Sequence, residues 1–428
     1  MVIKLNASSG RKTIQYLLIW VVIMETLISV LGMPNYLRYI CDILLLFSLI
    51  CARRLIYPAI REAGLKFAWI ILVLLVIEVF ISTMLNLSSI ILFIWACRNT
   101  FRFYIIYLVI VTLYRTEDVY YFCSLIESVF WINAGMMILQ FVFFGKKQDL
   151  LGGVFGIVEG SNGYTNLFFC LSSSYFIQKY MYRKMSLLKM FIALAITLTL
   201  AAISELKAFF IEFALIAALS SIVCRFTFRK FSVFLVVIVV TIIGLNILKH
   251  NFPEQYVYIT NYTKFMDYSS GFQNLFGTRN VTRMTAFTYI NDNFFGGSWF
   301  FRLLGLGFGH GETSQISLFN SDFFTQNGNT NYRAFSQSMM YLETGIIGLG
   351  LNILFLISVL INSLKSKKKS EHAMIHSWIV VCCCISIFLI FYNNTLRSEP
   401  GYLMYSAIAL GGAANKIDHR NSRLRSTH

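Results

Sequence analysis

Charged residues are scarce in this sequence. Only 13% of its 428 residues are Asp, Glu, Lys or Arg, whereas soluble globular proteins carry roughly 25%. Apolar and aromatic residues make up 57% of the chain, and apolar runs of about twenty residues, the length of a membrane-spanning helix, recur from one end to the other. The composition therefore argues against a soluble globular protein and predicts an all-α polytopic membrane protein.

Motifs of several enzyme classes are also missing. We find no HExxH, GxSxG, Asp-x-Asp or Walker motif, so nothing in the sequence indicates a metal site or ATP hydrolysis. The nine cysteines fall within apolar runs or at their ends, which implies no disulfide framework. We therefore expect no metal and no cofactor. The net charge of +16 sits in short clusters between apolar runs, so we expect no nucleic-acid partner either.

Hydropathy predicts about twelve transmembrane helices. Most of the 36 Lys and Arg residues lie in alternate connections, in clusters such as "CARRLIYPAIREAGLK" and "LKSKKKS". Cytoplasmic loops are enriched in these residues, so this distribution predicts that both termini are cytoplasmic. The predicted spans are about 14–31, 36–51, 66–85, 89–113, 119–143, 164–180, 187–203, 208–224, 231–248, 338–362, 375–392 and 401–414.

One outer connection is much longer than the others. Residues 249–337, between predicted spans 9 and 10, form a segment of about ninety residues rich in Asn, Gly, Thr, Phe and Tyr. Loops of this length are usually functional. The predicted organisation is therefore spans 1–9 (1–248), a large extracytoplasmic loop (249–337), spans 10–12 (338–414) and a basic cytoplasmic tail (415–428), with function on the outer face.

Two pairs of arginines stand four residues apart. In "GTRNVTRMTAF", residues 277–287, Arg279 and Arg283 share a face if the segment is helical. Guanidinium groups so placed repel each other unless an anion lies between them, and Arg suits bidentate contact with phosphate or carboxylate. The alternative is a solvated helix whose arginines pair with acids or with lipid headgroups.

The second pair, Arg98 and Arg102 in "ACRNTFRFY", lies within an apolar run. An Arg in hydrocarbon costs from ~2.5 to more than about 10 kcal/mol, so it normally faces a polar cavity or a partner. A substrate role and a structural ion pair are both open. Acids within other predicted spans are potential partners, namely Glu25, Asp42, Glu78, Glu127 and Glu212.

Three further segments supply candidate residues. "RLLGLGFGHGETS", residues 302–314, alternates glycines that can present N–H groups to an oxyanion, and it contains Arg302 and a potential acid or base, His310. His310 can equally be a plain surface residue. Lys207 in "ISELKAFF" is an anion contact or a snorkelling interfacial lysine. Glu343, in "FSQSMMYLETGIIGLG", is placed to act as a base or to orient an arginine.

In this order, "SELK", "GTRNVTR", "LGLGFGHG" and "MMYLETGIIGLG" resemble the Wzy-type polysaccharide polymerases, which are bacterial O-antigen and capsule repeat-unit polymerases. "GGVFGIVEGSNGYTN" resembles the segment that this family carries before its sixth span. Many relatives, the O-antigen ligases above all, have a His-Asn pair shortly before the E-x-G-x-x-G stretch. This chain has Ser336 and Gln337 in that area, a difference that weighs against the ligase.

The resemblance implies a metal- and nucleotide-independent glycosyltransferase of the bacterial cytoplasmic membrane. It would join undecaprenyl-diphosphate-linked oligosaccharides into O-antigen, capsular or exopolysaccharide, with membrane lipid, a flippase and a chain-length regulator as partners. It makes Arg279 and Arg283 diphosphate or glycan contacts and Glu343 or His310 the acceptor's base. Substrate-binding residues would be Arg98, Arg102, Lys207 and Arg302.

Two other functions fit part of the pattern. A lipid-linked oligosaccharide flippase or another secondary transporter would also have about twelve spans with intramembrane charges. The long outer loop and the lack of visible repeats argue against it, since many transporters have internal repeats. An O-antigen ligase would share the donor and differ in the acceptor. A structural membrane scaffold would leave the intramembrane arginines unexplained.

Overall fold

The computed structural model describes residues 6–224, 227–264, 266, 281–314, 316–368 and 370–426. These residues form helices joined by mostly short connections, and they include no β-strand. The α-helices are α1 Ala7–Ser29, α2 Tyr39–Ala52, α3 Ile56–Glu62, α4 Lys66–Leu85, α5 Ile90–Leu113, α6 Thr116–Phe144, α7 Ser161–Met181, α8 Leu187–Ile203, α9 Lys207–Val223, α10 Phe228–Asn251, α11 Pro253–Thr260, α12 Ala286–Asn293, α13 Trp299–Leu304, α14 Asp322–Asn327, α15 Ser336–Lys367, α16 Ala373–Tyr392 and α17 Gly401–Ser426.

Within the described residues, eight helices are long and apolar enough to cross a membrane: α1, α2 with the turn before it, α4, α5, α6, α10, α15 and α16. The fold is thus that of an all-α polytopic membrane protein, as the composition predicts. Helices also occupy the other four predicted spans. Of these, α8 and α9 have only 17 residues each, and α7 and α17 carry more polar residues, so the number twelve stays a prediction.

The described part of the long predicted loop packs at one end of the helix bundle, which we call the loop end. Hydrogen bonds join several connections there. Asn86 Nδ2 donates to the carbonyl of Gly305 at 3.3 Å, and the Gln337 amide donates to the carbonyl of Arg283 at 2.7 Å. Ser29, at the end of α1, accepts from the backbone of Ile157 at 3.1 Å. Each of these three bonds joins parts of the chain that are far apart in the sequence.

Helix α15 is broken near its start. Gly345 has φ of +58° and ψ of −161°, which is not helical. A Cβ at this position would lie closer than 3.0 Å to the carbonyl of Leu303, so the break and the close approach of the loop both require glycine. The residues on either side form a short arm that faces the loop end and a long apolar arm that crosses the bundle.

The glycine-rich segment docks on this break. The backbone N–H of Leu306 donates to the carbonyl of Leu342 at 2.8 Å, and that of Gly307 donates to the carbonyl of Glu343 at 3.2 Å. Carbonyls that lose their helical partners inside an apolar bundle need other donors. The segment supplies them, and in doing so fixes the backbone around Glu343.

We expect Gly345→Ala to lower the apparent melting temperature of the purified protein by several degrees. An alanine there adds a cost of about 1–2 kcal/mol for the left-handed backbone, and its methyl group meets the Leu303 carbonyl. Gly350→Ala is the matched control, because a Cβ at Gly350 in the same helix meets nothing within 4 Å. Equal melting temperatures for the two variants would contradict the role given to the break.

Candidate functional site

A cavity of about 490 Å³ opens at the loop end, and we call it the arginine cavity. Its wall includes two glutamates, Glu312 and Glu399, and five arginines. Arginine is uncommon within apolar helix bundles, and five around one cavity provide many hydrogen-bond donors for an anion. The five are Arg38, Arg98, Arg102, Arg333 and Arg397.

The sequence-predicted pair Arg98 and Arg102 lies on one face of α5, and both residues line the arginine cavity. Arg98 forms an ion pair with Asp42 at 2.6 Å and lies 5.0 Å from the ring centroids of Tyr39 and Trp95. Arg102 pairs with Glu399 at 3.3 Å. Each arginine thus has the acidic partner that a structural ion pair requires, and it also faces the cavity, so the substrate role stays a prediction.

Two further arginines are held by carboxylates in the same way. Arg38 donates from Nε and Nη2 to the two carboxylate oxygens of Glu25, both at 3.0 Å. Arg397 donates to Glu312 at 2.8 Å, and the side chain of Asn99 donates to the other Glu312 oxygen at 2.9 Å. These bonds fix the direction of each guanidinium group before any ligand arrives.

Glu343 lies behind this wall and does not line the arginine cavity. It is 1% exposed, and its Oε1 accepts from the backbone N–H groups of Gly309 at 3.1 Å and Gly311 at 3.2 Å. Its Oε2 is 3.8 Å from Arg397. The oxyanion that the alternating glycines bind is thus a carboxylate of the protein itself. This geometry favours the arginine-orienting role for Glu343 over the role of base.

Arg333 differs from the other four arginines. No carboxylate in the described part of the chain pairs with its guanidinium group, which lies 5.4 Å from the ring centroid of Phe324. Burial lowers the pKa of Arg333 from its usual value, yet a guanidinium group stays protonated at neutral pH. Burial alone would raise the pKa of Glu399, but Arg102 and Arg38 bring it below its usual value. Arg333 therefore leaves positive charge for a ligand to neutralise.

A second cavity of about 520 Å³, which we call the mixed cavity, contains two more of the predicted residues, Arg283 and Lys207. Arg283 Nε donates to the carbonyl of Tyr392 at 3.0 Å, and its guanidinium carbon lies 4.4 Å from the centroid of that ring. Lys207 pairs with Glu205 at 3.2 Å. The structure therefore separates this pair of residues from Arg98 and Arg102.

The remaining candidates lie elsewhere. Arg279 is outside the described residues, so its spacing from Arg283 stays a prediction. Arg302 is exposed on α13 and lines neither cavity. His310 lies beside Phe323, with ring centroids 5.3 Å apart, and burial lowers its pKa. Burial thus disfavours the charged form of His310, and the residue also lies outside both cavities.

Sequence reasoning missed three arginines of the cavity, Arg38, Arg333 and Arg397. Each lies in a connection or next to one, where a basic residue stands out less than within an apolar run. Their separation along the chain gives no sign that they meet. Arg38 lies near the start of the predicted span 36–51, a position that has no specificity for a ligand.

We expect Arg333→Ala to weaken the binding of inorganic pyrophosphate at least tenfold, because a hydrogen bond to a charged group contributes ~1.5–3 kcal/mol. Calorimetry on the purified protein measures this affinity. Arg302→Ala is the matched control from the same predicted loop and should retain wild-type affinity. Equal losses of affinity in the two variants would show that pyrophosphate binding depends on the overall charge of the protein and not on the arginine cavity.

Comparison with known proteins provides no assignment for this chain. No protein-family model matches the chain, and no curated protein matches it. The functional argument therefore depends on the quoted motifs and on the geometry of the two cavities.

Proposed function

We propose that the protein is a membrane polymerase that joins polyprenyl-diphosphate-linked oligosaccharide repeat units on the outer face of the bacterial cytoplasmic membrane. The observation that supports this most is the arginine cavity, whose wall carries five arginines against two glutamates. A diphosphate is the anionic part of such a lipid-linked substrate. Arginine's planar fork of donors fits phosphate oxygens in bidentate fashion.

The chemistry of such a transfer uses these arginines directly. The acceptor hydroxyl oxygen forms a bond to the anomeric carbon of the donor sugar, and its proton passes to the departing diphosphate or to water. The bond between that carbon and the diphosphate oxygen breaks, and its electron pair leaves with the lipid diphosphate. Negative charge therefore grows on the leaving group, where guanidinium groups already held in position stabilise it most.

The way the arginines are held supports catalysis as well as binding. Asp42 and Glu25 fix Arg98 and Arg38, so little reorganisation is needed when charge develops. Arg333 supplies the positive charge that no carboxylate of the described chain pairs. The arginine cavity is thus suited to a leaving group that becomes more negative during the reaction.

Complementation of polymerase-null bacteria with the matching repeat unit tests this function. Wild type should restore a ladder of long polysaccharide chains, whereas Arg98→Lys and Arg333→Ala should reduce polymer at least tenfold. Lysine keeps the charge at position 98 but loses the bidentate fork. Arg54→Ala is the control, because Arg54 is exposed at the opposite end of the bundle and should leave the ladder unchanged.

Two other outcomes would reject the polymerase, and a third would reject the role of the arginine cavity. Rescue of a flippase-null strain alone would assign the protein to transport. The protein would be a ligase if it rescued a ligase-null strain and left only single, unpolymerised repeat units in the polymerase-null strain. Full-length polymer from both arginine variants, with expression equal to wild type, would remove the arginine cavity from the mechanism.

A further inference from the structure

The mixed cavity differs in charge from its neighbour. Its wall carries three basic residues, Lys147, Lys207 and Arg283, and three acidic residues, Asp149, Glu159 and Glu205. The arginine cavity, of similar volume, has five basic residues and two acidic ones. A balanced polar wall suits an uncharged ligand with many hydroxyl groups better than it suits a diphosphate. The two cavities therefore fit different parts of a lipid-linked oligosaccharide.

One residue of the mixed cavity points to a ligand independently of charge. Asn166 lies on α7 and is only 3% exposed. Its amide approaches the buried carboxyl group of Glu212, yet neither atom of the amide forms a hydrogen bond of normal geometry in the described part of the chain. Buried polar groups are normally satisfied, and an unsatisfied one costs stability. An amide offers both donors and an acceptor, and neighbouring sugar hydroxyls can meet both.

Position along α7 connects Asn166 with the rest of this wall. Asn162 and Gly163 also line the mixed cavity, and they lie four and three residues before Asn166, on the same face of the helix. Asn162 is engaged, since its side chain donates to Asp149. Asn166, one turn further along this face, forms no such bond within the described residues.

A thin partition separates the two cavities. Asn393 lines the mixed cavity and the next residue, Asn394, lines the arginine cavity. Ser336 holds both: its Oγ donates to the carbonyl of Asn393 at 3.0 Å and lies 3.2 Å from the Asn394 side-chain oxygen. A ligand in the mixed cavity and a ligand in the arginine cavity would therefore lie on opposite sides of Asn393 and Asn394.

We propose that the mixed cavity is the subsite for the acceptor oligosaccharide and that Asn166 hydrogen-bonds its hydroxyl groups. This inference rests on the proposed polymerase function and adds to it a second, phosphate-independent subsite. The acceptor sugar would lie across the partition from the donor diphosphate. Removal of the Asn166 amide should then weaken the binding of sugar without weakening the binding of phosphate.

The test uses full-length protein in detergent and two probes: inorganic pyrophosphate, and the repeat-unit oligosaccharide released from its lipid and dephosphorylated. Asn166→Leu should weaken oligosaccharide affinity about tenfold and leave pyrophosphate affinity unchanged. Arg333→Ala should give the reverse pattern. Asn251→Leu is the control, because Asn251 lines neither cavity and its amide donates to the carbonyl of Ile247 in its own helix.

Melting temperature separates binding from structural support. Because Asn166→Leu replaces a buried amide that has no partner, its melting temperature should equal or exceed that of wild type; a structural asparagine would show a fall. If leucine prevents folding, Asn166→Ala carries the same binding test.

The possible failures are distinguishable. Unchanged oligosaccharide affinity in the folded Asn166 variant, or no saturable oligosaccharide binding by wild type, overturns the acceptor subsite even if polymer forms in cells. Loss of both probes in the Asn166 variant also overturns it. A wild type that binds both probes as described but restores no polymer keeps the sugar subsite and rejects the polymerase.

Discussion

The break in α15 at Gly345 determines which hydrogen bonds form at the loop end of the bundle. A helix that stops and restarts inside an apolar bundle exposes carbonyls that water cannot reach. The glycine-rich segment satisfies them, and its next N–H groups, at Gly309 and Gly311, take the carboxylate of Glu343. That carboxylate lies 3.8 Å from Arg397. The orientation of Arg397 in the cavity therefore depends on the hydrogen bonds that form around the break in α15.

From Arg397 the polar contacts continue without interruption across the bundle. Glu312 bridges Arg397 and Asn99, and Arg98 then joins Asn99 to Asp42. Ion pairs in an apolar environment are costly to desolvate and are costly again if one partner is removed. A connected network of this kind gives rigidity, and rigid guanidinium groups are what stabilisation of a developing charge requires.

The sequence is informative where charge conflicts with its surroundings. Arg98 and Arg102 were identified because they interrupt an apolar run, and the helix ranges follow from run length. Arg38, Arg333 and Arg397 were missed, since only the packing of distant connections brings them together. The alternating glycines predicted N–H donors for an oxyanion, but the pattern alone could not show that two of these N–H groups bond to the side chain of Glu343. Asn166 carried no signal, because an unpaired amide is a property of the folded state.

The partition at Asn393 and Asn394 has a consequence for how such proteins can diversify. In the proposed reaction, the diphosphate is the group that every lipid-linked substrate presents, and the sugars are the part that can vary. With the shared group on one side of the wall and the variable group on the other, substitutions that adapt the proposed polymerase to a new sugar can accumulate around the mixed cavity. The arginines need not change with them. Under the proposed function, sugar specificity therefore changes separately from the transfer chemistry.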